Sequence, residues 1–203
     1  MTIDIILGVL VLILSVVVHE TAHGYAAYAL GDPTAKLAGR LTLNPIKHLD
    51  ILGSFIVPLA TFLLGGIIFG WAKPVPYNPY NLKGKYGDVW VALAGPVSNL
   101  FLAGVFGIGI RLGGGALSPV ALSVLLMIVG INVVLAVFNL IPIPPLDGSK
   151  VLLAFLPYSY ENKVRVFFER YGLIIVLLLI GVLWRLILPV IGVLITIFTG
   201  VGF

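Results

Sequence analysis

The chain reads as an all-α polytopic membrane protein: a helical bundle with a short membrane-embedded β element and a re-entrant segment at 51–70. Three observations point there. Of its 203 residues 60% are hydrophobic and only 10% charged, where soluble domains run near about 25% charged. Mean hydropathy is +1.17. Apolar runs near 4–30, 88–110, 119–140 and 171–199 are each long enough to cross a hydrocarbon core, which takes about 20 helical residues. The length suits a single domain over 1–203. The formal net charge of +4 is a matter of loop placement in such a protein, not a footprint for nucleic acid. There are no cysteines, so disulfides and thiolate ligands are excluded and any metal must be held by His, Asp or Glu. Met1-Thr2-Ile3-Asp4 carries no basic region and no small-residue cleavage site follows, so the first span is expected to be retained.

The first helix covers residues 4–30 and stops at Gly31-Asp32-Pro33. Leu37, Gly39, Leu41 and Leu43 then alternate with Ala38, Arg40, Thr42 and Asn44, a period of two that reads as a strand over 37–44. Asn44 to Asp50 form a turn in which His48 and Asp50 cap the next helix or face headgroups. Residues 51–70 are apolar but interrupted by Pro58 and Gly65-Gly66, which suits a span or a re-entrant hairpin. Trp71 to Leu82, rich in proline and aromatics, suits an extended interfacial segment. The span at 88–110 carries Gly95-Pro96-Val97-Ser98-Asn99, whose small residues permit close helix approach. In the span at 119–140 Asn132 is a lone polar residue. That span leads into Ile141-Pro142-Ile143-Pro144-Pro145-Leu146-Asp147, where the prolines forbid helix and predict an extended, rigid backbone. Residues 149–170 are basic by comparison and read as a loop with an amphipathic helix. Residues 171–203 are apolar and broken near Trp184-Arg185 and Pro189.

The chemistry sits in His19-Glu20-Thr21-Ala22-His23, an H-E-x-x-H motif inside the first apolar run. At about 100° per residue the two histidines lie roughly 40° apart, one turn along the same helix face. Two imidazoles so placed can close on one tetrahedral metal ion, while Glu20 leans toward a water as general base. The bland alternative is a chance match with histidines bonded to neighbouring helices. It weakens here because ionisable residues within a span cost several kcal/mol unless paired, so three in five positions need a reason. A catalytic zinc takes three protein ligands and leaves one position open. His48 lies in a flexible turn, and Glu161 and Glu169 in a charged, solvated stretch. Asp147, on a proline-stiffened segment after an apolar helix, is the third ligand expected with His19 and His23.

H-E-T-A-H on an early span, G-P-V-S-N on a middle one and N-L-I-P-I-P-P-L-D-G after a later one together resemble the site-2 proteases, the intramembrane zinc metalloproteases of peptidase family M50. The resemblance covers roughly residues 10–155. It implies Zn2+ on His19, His23 and Asp147, Glu20 as the catalytic base, and Asn139 positioning substrate or steadying the oxyanion. It matches the strand at 37–44 to a membrane-embedded β element beside the site. The form is a short one, without PDZ or CBS domains. The implied activity is zinc metalloendopeptidase cleavage of transmembrane protein substrates within or near their spans. The implied setting is the lipid bilayer of a prokaryotic cell membrane, with the active site toward the cytoplasm and no nucleic-acid partner. Two other classes fit less well. A metal-ion transporter should show internal symmetry and polar residues on several spans, and an inactive scaffold of protease ancestry has no need of Glu20.

The spacing also carries a topological expectation. His19 and His23 sit near the C-terminal end of the first helix, and Asp147 just past the C-terminal end of the helix at 119–140. One metal can bind all three only if both helices run the same way. The segment 51–70 should therefore enter and leave on one side, which gathers ten of the twelve Lys and Arg residues on that side.

Overall fold

A computed structural model describes residues 2–57, 63 and 72–202. Its long helices are α1 (Thr2–Ala29), α3 (Gly87–Gly113), α4 (Pro119–Asn139) and α6 (Tyr158–Thr199), joined by the short α2 (Thr34–Leu37) and α5 (Gly148–Ala154). Among the described residues, three helical stretches are long and apolar enough to cross a membrane: Ile3–Ala29, Gly87–Ala116 and Pro119–Asn139. The all-α architecture and multi-pass membrane character follow. Exposed apolar side chains fit the same picture, since Ile5, Val9, Leu12 and Ile13 of α1 and Phe101, Val105 and Ile108 of α3 point outward, where lipid rather than water is the solvent.

The helices run alternately. Ascending α3 through Val91, Gly95 and Asn99 meets descending positions His23, His19 and Ser15 of α1, so these two are antiparallel. Asn132 of α4 meets Ser15, and Asp147 beyond α4 meets His19, so α1 and α4 run parallel. An apolar core of Ala103, Ile110, Val129, Val133, Ile187, Ile191 and Ile195 packs α3, α4 and α6 together. Buried Ser15, His19, His23, Asn99 and Asn132 gather instead between α1, α3 and α4.

Glycine at a left-handed position ends α1. Gly31 has φ +107°; its N–H donates to Tyr28 O and that of Asp32 to Ala27 O, the paired bonds of a Schellman cap. The same device overturns the strand expected over 37–44. Gly39 has φ +64° and ends α2 with bonds from Gly39 N to Lys36 O and from Arg40 N to Ala35 O. An extended run cannot pass through that residue, so the alternation was partly a helix cap in disguise. No strand occurs among the described residues. Beyond the cap, Thr42 O is taken by two side chains, Thr21 Oγ1 and His48 Nε2, rather than by a ladder.

The turn after α2 differs from expectation in one residue. Asp50 caps, accepting from Gly53 N, but His48 is buried rather than facing headgroups. Of the re-entrant segment expected at 51–70, only the start is described, a π-helical turn over Leu52–Ile56; Pro58 and Gly65-Gly66 lie outside the described residues. Lys73 N donates to His48 O, so the chain on either side of that stretch meets. Of the Pro-rich segment expected to be extended from Trp71 to Leu82, residues 72–78 carry no regular secondary structure, but Pro79–Asn81 form a 3-10 turn capped by Asn78. The prolines after α4 instead make consecutive tight turns, with Ile143 N on Ile141 O and Leu146 N on Ile143 O. Residues 171–199 form no separate element. They belong to α6, which begins at Tyr158 and, at about 1.5 Å per residue, outreaches a hydrocarbon core of about 30 Å.

Candidate active site

His19 and His23 occupy successive turns of α1 on its buried face. Their rings are 4.7 Å apart between centroids and nearly perpendicular, at 86°. Each ring is anchored through Nδ1. His23 Nδ1 lies 2.7 Å from Val91 O, and a carbonyl can only accept, so Nδ1 carries the proton. His19 Nδ1 lies 2.6 Å from Asn99 Oδ1. Both Nε2 atoms then present lone pairs, 3.1 Å from each other and each 3.1 Å from Asp147 Oδ2.

Asp147 reaches them because the turns after α4 bring the chain back to the bundle. Gly148 makes this return possible: a Cβ there would collide with the Leu140 carbonyl. The other carboxylate oxygen, Oδ1, faces Lys150 Nζ at 3.5 Å. Lys150 Nζ in turn sits 5.2 Å from the ring centre of Tyr77, whose hydroxyl donates to Asp88 Oδ1. Burial, helped by that hydrogen bond, pushes the Tyr77 hydroxyl well above its ordinary range.

Three acceptor atoms so close together repel unless a cation lies among them. Zinc held at about 2.0–2.1 Å by tetrahedral ligands separates those ligands by about 3.3 Å, close to the spacing found. Opposite the triad stands Gly95 of α3. A Cβ there would lie 2.6 Å from both His19 Nε2 and His19 Cε1, in the space an ion would use. The donor set and the hollow both fit a zinc ion, and among the described residues His19, His23 and Asp147 are the group whose ligand atoms lie close enough together to hold one.

Glu20 does not join that group. It is half-buried, and its Oε2 accepts from Val75 N at 2.9 Å. Val75 sits between Pro74 and Pro76, so its N–H is the only one that this triplet offers. The strap that bears it, residues 72–78, is held at several points. Arg40 Nη2 donates to Lys73 O at 2.7 Å and to Pro74 O at 3.5 Å, and Asn78 N donates to Asp32 Oδ2. Asn139 ends α4, half-buried, with its Nδ2 on Leu135 O; it is not drawn into the triad. Sequence reasoning missed Gly95, Asn99 and Val75. The spacing of Gly95 and Asn99, one helical turn apart like the histidines, was the available signal.

Comparison with known proteins agrees with this geometry. The sequence profile of peptidase family M50 matches residues 103–183, a stretch that takes in Asp147. Over 179 residues the chain is 42% identical to the candidate zinc metalloprotease YwhC of Bacillus subtilis, covering 84% of this chain and 78% of that protein. The chain belongs to peptidase family M50. Its similarity extends to the candidate zinc metalloprotease Rip2 of Mycolicibacterium smegmatis, 32% identical over 83% of this chain and 64% of that protein. The candidate zinc metalloprotease MJ0611 of Methanocaldococcus jannaschii is 40% identical over 50% of this chain and 49% of that protein. The chain thus spans under two thirds of the latter two relatives' own length. No solved structure matches it.

Proposed function

We propose that the chain, as one domain over 1–203, is an intramembrane protease that hydrolyses peptide bonds within or near transmembrane segments of protein substrates. Zinc metalloendopeptidase chemistry is what M50 membership brings. The observation that carries the finer reading is the convergence of His19, His23 and Asp147 beside Glu20, between helices apolar enough to span a bilayer. His19, His23 and Asp147 would hold the zinc. When bound, the ion supplies Lewis acidity that lowers the pKa of a coordinated water to about 7.

The chain's own groups do the rest. Glu20, oriented through Oε2 by the Val75 N–H, has Oε1 left to take a proton from the attacking water. It then returns that proton to the leaving amine. Val91 and Asn99 keep both imidazoles turned so that Nε2 faces inward. Asn139, at the end of α4, is the residue proposed to position substrate or steady the oxyanion. The substrate helix must unwind locally before its carbonyls can be reached, because a spanning helix keeps them in its own hydrogen bonds.

Basic residues support a cytoplasmic active site in a prokaryotic cell membrane: Arg40, Lys73 and Lys150 all lie close to the site. The test uses purified protein in lipid nanodiscs with a single-span substrate. Metal analysis should find about one zinc per chain, and cleavage should stop on chelation and return with zinc. Unchanged zinc content in a His19→Ala, His23→Ala double variant would sink the ligand assignment. Cleavage of soluble peptides alone would sink the intramembrane reading.

A further inference from the structure

The deepest polar groups of the bundle lie behind the triad. Asn99 of α3 and Asn132 of α4 are both fully buried. Asn99 Nδ2 donates to Asn132 Oδ1 at 2.9 Å and faces Ser15 O at 3.4 Å. Asn132 Nδ2 donates to Ile128 O at 2.9 Å and to Ser15 Oγ at 2.9 Å. We propose that Asn99 and Asn132 form a directed amide relay that sets the tautomer and orientation of His19, making both of them positioning residues for the metal centre. The inference rests on the zinc-site reading above and deepens it.

The relay has one direction. Ile128 O and Ser15 O are main-chain carbonyls and can only accept. Turning the Asn132 amide over would set its oxygen against Ile128 O, and turning Asn99 would set its oxygen against Asn132 Oδ1 and Ser15 O. Each amide is therefore locked with its nitrogen toward the carbonyls. What emerges at the other end is an acceptor, Asn99 Oδ1, which obliges His19 Nδ1 to carry the proton. Nε2 is left as a lone pair, the form a metal ligand must have. Between apolar helices no water competes for these bonds, so the signal set at Ile128 reaches His19 intact. His23 needs no such relay because Val91 O fixes it directly.

The test compares wild type, Asn99→Ala, Asn99→Asp and Asn132→Leu in detergent, measuring zinc affinity by competition with a chelator and the His19 tautomer of the metal-free protein by 15N NMR. Asn99→Ala should weaken zinc by about 10–100-fold, the range for outer-shell partners of metal-bound histidines, and should lose the pure Nδ1–H form. Asn99→Asp, protonated on the oxygen that faces Asn132 Oδ1 and Ser15 O, keeps both the donor at that end and the acceptor for the His19 proton, and should recover affinity to within a few-fold of wild type. Asn132→Leu should weaken zinc less than Asn99→Ala, because Asn99 Oδ1 is still present and Ser15 O still faces Asn99 Nδ2, though at 3.4 Å it holds the amide less firmly. If these asparagines only join helices, their loss will lower the unfolding midpoint and leave both zinc affinity and tautomer unmoved, and the proposal falls. It falls equally if Asn99→Asp binds as poorly as Asn99→Ala. A wild-type protein that binds no zinc would instead refute the site reading itself.

Discussion

Glu20 stands one residue from His19 yet faces a different neighbour, and the bond from Val75 N to Glu20 Oε2 holds the proposed base apart from the proposed ligands. Glu20→Gln should therefore keep about one zinc per chain while kcat falls by about 10²–10⁴-fold, the share general acid–base catalysis supplies. Single-turnover cleavage beside metal analysis checks both halves. Gly95→Ala should do the opposite. A methyl in the hollow facing His19 and His23 displaces the ion, so zinc content should drop well below one per chain while the fold persists by circular dichroism. The two histidines and Glu20 were legible because helical periodicity alone puts them together. Asp147 was legible because an unpaired carboxylate there is expensive. Gly95 was not, since what a missing side chain makes room for depends on the helix opposite. Asn132 was visible only as an oddity until Asn99 and Ser15 stood beside it.

Among the elements, the strap at 72–78 is held to α1 at Glu20 and, past the end of α1, to Asp32 and Arg40. Asp32, fully buried, accepts from Asn78 N, Asn81 Nδ2 and Thr34. Burial opposes its ionisation, but these donors outweigh burial and hold the carboxyl below its ordinary range. A group depressed on folding stabilises the protein above its unfolded pKa of about 3.9, and that contribution fades as pH falls through the folded value. Asp32→Asn should accordingly lower stability at neutral pH by about 1–3 kcal/mol, the cost of leaving a buried donor unmatched. The gap to wild type should narrow below about pH 4 in thermal unfolding experiments. Val75→Pro removes the one N–H on Glu20; zinc content should hold while cleavage falls by about 10²-fold through loss of base orientation. That the Pro-rich stretch from 71 to 82 forms no long helix or strand was legible, since proline dictates it locally, but the short 3-10 turn at Pro79–Asn81 was not. The sequence misled over 37–44, because alternation cannot tell a strand from a capped turn when one alternating residue is Gly39 with φ +64°.

At the scale of the whole molecule, the parallel pair α1 and α4 with antiparallel α3 between them gives the site one end of the bundle. Lys83 N donates to Leu30 O at the foot of α1, and Lys47 precedes His48, whose carbonyl meets Lys73 N. Gly114 closes α3 at the far end, where Arg111 donates to Ile197 O and Phe198 O of α6. The chain has no cysteine, so single cysteines report sidedness cleanly. Replacements at Lys47 and Lys83 should react with an impermeant thiol reagent from the same, cytoplasmic side, and one at Gly114 from the other. Labelling of Lys47 and Lys83 from opposite sides would require 51–70 to cross the membrane. The helical spans were legible because lipid imposes length and apolarity on each. The relation between α4 and α5 was not, because it depends on how turns built by Pro142, Pro144 and Pro145 pack against the bundle rather than on any period.

The protein keeps a non-helical stretch of its own backbone within hydrogen-bonding distance of Glu20, the proposed base. Hydrolysis begins at a carbonyl carbon, and the strap meets Glu20 with a nitrogen instead. Its two nearest preceding carbonyls, Lys73 O and Pro74 O, are turned toward Arg40, and Pro76 closes the stretch with a tertiary amide. The stretch nearest Glu20 thus offers it a donor and keeps its own carbonyls for Arg40, an arrangement fixed by three residues, Pro74, Val75 and Pro76.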